Sequence, residues 1–150
     1  MFGYSISGHF NENVKNSGIR SEWAFCSFHG VNRTKHDSGS YDSGSDLEFN
    51  GHGYSVKANA FTLMSGTLCK GQTTFAGIWD LFVSRVHSDI FAYVTKTEIA
   101  YEMNLQEFSE FIHEFGYLER ESAKNGGGLK IRCRKESKKM LAWLAERAEA

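Results

Sequence analysis

The sequence predicts a mixed α/β (α+β) protein, a mixed sheet flanked by helices, and three observations lead there. Segments with apolar residues three and four apart alternate with segments of period two. Helix-start signals stand at the right offsets before the helical segments. The chain has 150 residues, is 41% hydrophobic and contains no proline, which is enough to bury one sizeable core. A single domain spanning residues 1–150 is expected.

Taken in order, the elements follow from local pattern. From about Asn13 to Phe28, the residues Val14, Ile19, Trp23, Phe25, Cys26 and Phe28 recur with a loose helical period and imply a helix with a broad buried face. That helix carries Glu22, and the segment before it, including His9, reads as a frayed start. Residues 36–46, HDSGSYDSGSD, have the composition of a loop. Their aspartates lack the ligand spacing of a calcium-binding loop.

A hairpin follows over Asp46–Lys57. Residues 72–86, QTTFAGIWDLFVSRV, place Phe75, Ile78, Trp79, Phe82, Val83 and Val86 at helical spacing. Ile90–Val94 and Ile99–Met103 read as two strands joined by a tight turn. Asn104 and Glu107 form a capping box before LQEFSEFIHEF, and Gly116 is its natural stop. After Gly126–Gly128, Leu129, Ile131 and Cys133 alternate with Lys130, Arg132 and Arg134, as in a strand with one apolar face. A last amphipathic helix starts near Glu136. The expected order is α-β-β-α-β-β-α-β-α.

Composition narrows the setting. Cys26, Cys69 and Cys133 are odd in number and far apart, unlike a disulfide framework or zinc site, so they read as buried thiols. No run approaches the roughly 20 apolar residues that span a bilayer, and no signal-like start is present; the expectation is a cytoplasmic protein with no membrane partner. The net charge of −1 is uninformative, but residues 121–150 hold 8 Lys and Arg against 4 Asp and Glu, and the rest 9 against 14. An acidic body with a basic end suits a cation at one place and a polyanion at another, although a solvated charged helix has the same composition.

The hairpin, GSDLEFNGHGYSVK over residues 44–57, gathers two carboxylates, a serine and a lysine. With Asn50–Gly53 as a four-residue loop, Phe49 faces Tyr54, Glu48 faces Ser55, Leu47 faces Val56 and Asp46 faces Lys57. Alternation then puts Leu47, Phe49, Tyr54 and Val56 on an apolar side and Asp46, Glu48, Ser55 and Lys57 on a polar one. An ordinary wet face with a cross-strand ion pair would show the same residues.

A helical Glu22, then Gly-Ser-Asp46 at a strand start, a short turn and Ser55-Val56-Lys57 on the next strand resemble the core of the PD-(D/E)XK nuclease superfamily. A helix, a strand pair and another helix follow in the same order, so the likeness to small restriction endonucleases covers about residues 15–115. The resemblance implies a restriction-endonuclease-like fold and a Mg2+-dependent endonuclease acting on double-stranded DNA, with Mn2+ as a substitute. Working as a homodimer is the simplest way to cut both strands. The resemblance makes Asp46 the essential metal ligand and the Val56 carbonyl a second, with Lys57 orienting or deprotonating the attacking water. Ser55 stands where the motif has an acid, as in a minority of restriction enzymes that take a carboxylate from elsewhere. Glu22 and Glu48 are the candidates, and Ser55 itself would hydrogen-bond a metal-bound water.

These residue types suit phosphodiester hydrolysis. A hard cation held by few oxygens polarises the phosphate and acidifies water, and a fixed lysine stabilises developing charge. Arg33 and Lys35, ahead of the loop, and Lys130, Arg132 and Arg134 on the late strand are the candidate DNA-phosphate contacts; surface solvation or protection of a sheet edge would explain them equally. A non-catalytic nucleic-acid-binding module on the same fold is the alternative reading.

Overall fold

The computed structural model describes residues 1–32, 47–64, 69, 71–120, 122, 124 and 127–149. Four helices and eight strands follow in the order β1 (Phe2–Ser5), α1 (Ser17–His29), β2 (Leu47–Phe49), β3 (His52–Ala58), β4 (Phe61–Thr62), α2 (Phe75–Arg85), β5 (Ile90–Val94), β6 (Ile99–Met103), α3 (Leu105–Phe115), β7 (Gly116–Arg120), β8 (Leu129–Cys133) and α4 (Lys138–Glu149). The mixed α/β class is as the sequence predicts. The strands form two sheets, however, a five-stranded one in the order β1-β6-β5-β3-β2 and a three-stranded one in the order β4-β8-β7. Three strands, β1, β4 and β7, add to the expected order. The chain start is therefore not frayed: β1 pairs along β6, and Ile6 beyond it is fully buried.

Local chemistry sets the helix boundaries. Asn16 caps α1 by accepting the Ile19 N–H at 3.0 Å, so this helix begins at Ser17, about four residues later than its apolar pattern suggests. At α3 the capping box is complete, with Asn104 Oδ1 taking the Glu107 N–H and the Glu107 carboxylate taking the Asn104 N–H. Gly116 ends α3 in extended rather than left-handed backbone. A Cβ there would lie 2.4 Å from the Ile112 carbonyl oxygen, so glycine is required by the close approach with which α3 passes directly into β7.

The large sheet carries a core on each face. Ala24, Phe25 and Cys26 of α1 pack on Leu47, Tyr54, Val56, Ala92, Val94 and Ala100. On the other face Phe91, Tyr93 and Met103 meet Phe108, Phe111 and Ile112 of α3, Ile78 and Phe82 of α2, Met140 and Leu144 of α4, and Ile131 and Cys133 of β8. Burial of each Phe, Leu, Ile, Val or Met among them contributes about 1.5–3 kcal/mol. Strand β5, between β3 and β6, alternates between the two cores, with Phe91 and Tyr93 on one side and Ala92 and Val94 on the other. The face of α1 differs from expectation. Ile19 and Phe28 are 41% and 40% exposed, while Ser21 and Glu22 are buried, because the stripe runs through positions 22, 25, 26 and 29. Among the described residues no helix is long and apolar enough to cross a membrane.

Candidate functional site

The β2–β3 hairpin closes through Asn50 and Gly51 alone, both with left-handed backbone (φ 53° and 76°). Two consecutive positive-φ residues make a turn whose twist matches that of paired strands, and Asn-Gly is the dipeptide that tolerates it best. The register is therefore two residues away from the four-residue-loop expectation: Leu47 is opposite Tyr54, Glu48 opposite Gly53 and Phe49 opposite His52. A slip of two preserves the faces, so Leu47, Tyr54 and Val56 still share the core under α1. Glu48 is not opposite Ser55. It is exposed and paired four residues along β3 from Lys57, roughly 13 Å at the rise of a strand.

Beyond Tyr54 the chain carries its chemistry. Ser55 is 4% exposed, and its Oγ lies 2.6 Å from Ser88 Oγ, in the turn before β5. Val56 and Ala58 face α1, whereas Lys57, opposite Tyr93 of β5, lies on the other side of the sheet. The Lys57 Nζ reaches to 5.7 Å from the centre of the Phe61 ring, within cation–π range.

Glu22 approaches from the α1 side. It is only 8% exposed on the helix stripe that also holds Phe25 and Cys26, a position where a carboxylate is costly to bury. Glu22, Val56 and Lys57 line one pocket of about 410 Å³, with the first turn of α1 and Phe61 completing it. Thus Glu22 and Lys57 both border that pocket, and Glu48 and Ser55 do not. Asp46, Arg33 and Lys35 lie outside the described residues.

The basic strand β8 is partly occupied by internal partners. Arg132 donates to Thr62 Oγ1 at 2.8 Å and its Nε lies 3.8 Å from a Glu119 carboxylate oxygen. Arg134 stacks over Tyr117 at 4.9 Å, and Lys130 is opposite Glu119 on β7. Comparisons with protein-family models, curated proteins and solved structures return no match. The site must be read from its own geometry.

Two further clusters are not evident from sequence. His52 Nδ1 and the Gly53 N–H both contact the Asp89 carboxylate; the His52 hydrogen bond chiefly, joined by Gly53, holds that carboxyl below its ordinary range. This joins the start of β3 to the turn before β5. Beneath the last turn of α1, Tyr4 donates to the Glu102 carboxylate and lies 2.7 Å from His29 Nε2. Burial first, and then the Glu102 carboxylate, push the Tyr4 hydroxyl upward, while burial lowers the His29 imidazole. The only sequence signal for this cluster was an alternation of Phe2 and Tyr4 in a segment too short to score as a strand.

A divalent cation can be tested against this donor set. No group of three or more His, Cys, Asp or Glu residues suited to a metal occurs among the described residues. The pocket is lined by one carboxylate residue, Glu22, and by Val56. Mg2+ is commonly held by one or two carboxylates while it keeps several waters. Among the described residues Glu22 is the one carboxylate of this pocket that could serve.

Proposed function

We propose that the protein is a Mg2+-dependent endodeoxyribonuclease of the restriction-endonuclease-like type, acting on double-stranded DNA as a homodimer. The observation that carries this reading is that Glu22 of α1 and Lys57 of β3 border one pocket beside Val56. A surface hairpin whose lysine merely neutralised a cross-strand aspartate would have no reason to bury a helical glutamate beside the same pocket.

In this reading Glu22, Asp46 and the Val56 carbonyl would hold the cation, which would supply Lewis acidity at the phosphate and lower the pKa of a water. Lys57, whose ammonium lies 5.7 Å from the centre of the Phe61 ring, would orient the attacking water and offset the charge that builds on the phosphate oxygens. The hydroxyl of Ser55 is engaged by Ser88, which assigns it to support of β3 rather than to a water in the pocket. Lys130, Arg132 and Arg134 serve as backbone-phosphate contacts, weakened where Glu119 shares Arg132.

The same Ser55 contact favours the second reading, a non-catalytic DNA-binding module on this fold, because the motif position that normally carries an acid here holds a buried structural serine. Incubating supercoiled plasmid with the protein in Mg2+, Mn2+ or EDTA separates the two. The nuclease reading expects metal-dependent cleavage that falls by about a hundredfold or more in Lys57→Ala and in Asp46→Ala, with DNA binding retained. Salt-sensitive binding without cleavage in any metal would establish the module instead.

A further inference from the structure

Strands β3 and β5 are parallel, and β1 and β5 are both antiparallel to β6, so β1, β3 and β5 end on the same side of the sheet. A cleft of about 670 Å³ opens at those carboxyl ends, against the first turns of α1. Crevices at the carboxyl ends of parallel strands are where open α/β sheets place ligands, and the volume is in the usual range for a small-molecule site.

Part of the cleft suits an anionic group, with Arg20 and Lys96 in a lining that also holds Glu12 and Glu98. Arg20 lines it, and Arg20 Nε is buried with no hydrogen-bond acceptor among the described residues, an arrangement that costs free energy until an acceptor arrives. Ser21, 6% exposed, lines it one residue further on. Asn16 takes the Ile19 N–H, and the start of the helix at Ser17 meets the cleft, where its partial positive charge favours an anion. Lys96 stands on the opposite rim. That rim is braced: the Glu136 carboxylate accepts the Lys96 N–H at 3.0 Å, and the Glu136 N–H donates to Asn59 Oδ1 at 3.4 Å, fixing Asn59 in left-handed backbone (φ 52°) at the end of β3.

A bare anion would not use the rest of the lining. Phe10 offers an aromatic face, and Glu12 and Glu98 offer acceptors. An anionic group, a flat ring and amino donors in one ligand describe a nucleotide. Ser17 and Ala58 line both this cleft and the Glu22–Lys57 pocket, so the two are neighbours around the start of α1.

We propose that this cleft is a nucleotide subsite that binds the phosphate on Arg20, Lys96 and the start of α1, and the base on Phe10 with its donors toward Glu12 or Glu98. The assignment of that nucleotide to the DNA strand being cut rests on the nuclease reading; the subsite itself does not.

The test titrates the protein with deoxynucleoside 5′-monophosphates, with inorganic phosphate and with a short single-stranded oligodeoxynucleotide, following binding by calorimetry, and measures plasmid cleavage in parallel. Nucleotide should bind more tightly than inorganic phosphate. Arg20→Gln and Lys96→Ala should each weaken it about tenfold or more, and Lys138→Ala on α4 should leave it unchanged. Lys96 is exposed, so its variant reports on binding even where Arg20→Gln perturbs folding. Oligonucleotide binding tighter than mononucleotide binding, lost in the same variants, identifies the ligand as a strand unit; equal binding identifies a free nucleotide. Nucleotide binding without cleavage by any preparation would sink the nuclease reading and leave the subsite standing. No nucleotide binding, affinity equal to that of inorganic phosphate, or affinity unmoved in both variants would overturn the subsite, whatever the cleavage assay shows.

Discussion

Glu22 of α1 and Glu102 of β6 are both 8% exposed, yet they differ in what surrounds them. Glu102, on β6, is met by the Tyr4 hydroxyl with His29 behind it, inside a wall of aromatic rings formed by Tyr4, Phe25, Phe28 and Phe49 about His29. Glu22, two turns before His29 on α1, lines an open pocket that Lys57 also borders. Burial alone therefore does not mark a functional carboxylate, since buried charges need partners wherever they occur. A cavity and a cation reaching it from another element distinguish the one that can act on a ligand.

The sharpest way to break this comparison is to neutralise each carboxylate in turn. Glu102→Gln should leave metal-dependent cleavage within about twofold while lowering stability by about 1–3 kcal/mol, read from denaturant unfolding; loss of cleavage with stability intact would reverse the two roles. A smaller effect follows from Tyr4→Phe, which removes the hydroxyl donor to Glu102 and should cost about 1–2 kcal/mol with no change in DNA affinity. A melting temperature equal to that of the wild type would show that the hydrogen bond is not structural.

The smallest effect is on pH. Burial lowers His29 below the ordinary imidazole value of 6.5 in the folded protein, so the unfolded chain binds its proton more readily. The stability from keeping His29 neutral is present above pH 6.5 and is lost as pH falls through the lowered folded-state value. His29→Gln should flatten the part of the stability profile just below pH 6.5, and an unchanged profile would assign that slope to other groups.

How much of this could be read from sequence varied with how local the cause was. The capping box at Asn104, the stripe of α3 and the pair β5–β6 follow from neighbours within a few residues, and they stand where the sequence placed them. The hairpin was legible in its faces but not its register, because Asn50-Gly51 specifies a two-residue turn and the longer loop reading ignored that dipeptide. Strands β1, β4 and β7 left little trace. β4 has two residues, β7 follows α3 with no loop, and β1 is defined by Glu102 and its neighbours about a hundred positions away. Similarly, Glu22 and Lys57 were both identifiable as candidates, but only packing shows that both border one pocket. The cleft around Arg20 had no sequence signature, since its lining comes from the ends of three strands distant in the chain.

The central claim is that the Glu22–Lys57 pocket, and not the exposed face carrying Glu48, is where the cation is held. The most direct measurement is the rate of plasmid cleavage in Mg2+ by Glu22→Gln beside Glu48→Gln, with EDTA as the blank. A loss of about a hundredfold in Glu22→Gln and near wild-type cleavage in Glu48→Gln is the predicted result. Full activity in Glu22→Gln, or loss confined to Glu48→Gln, would contradict it.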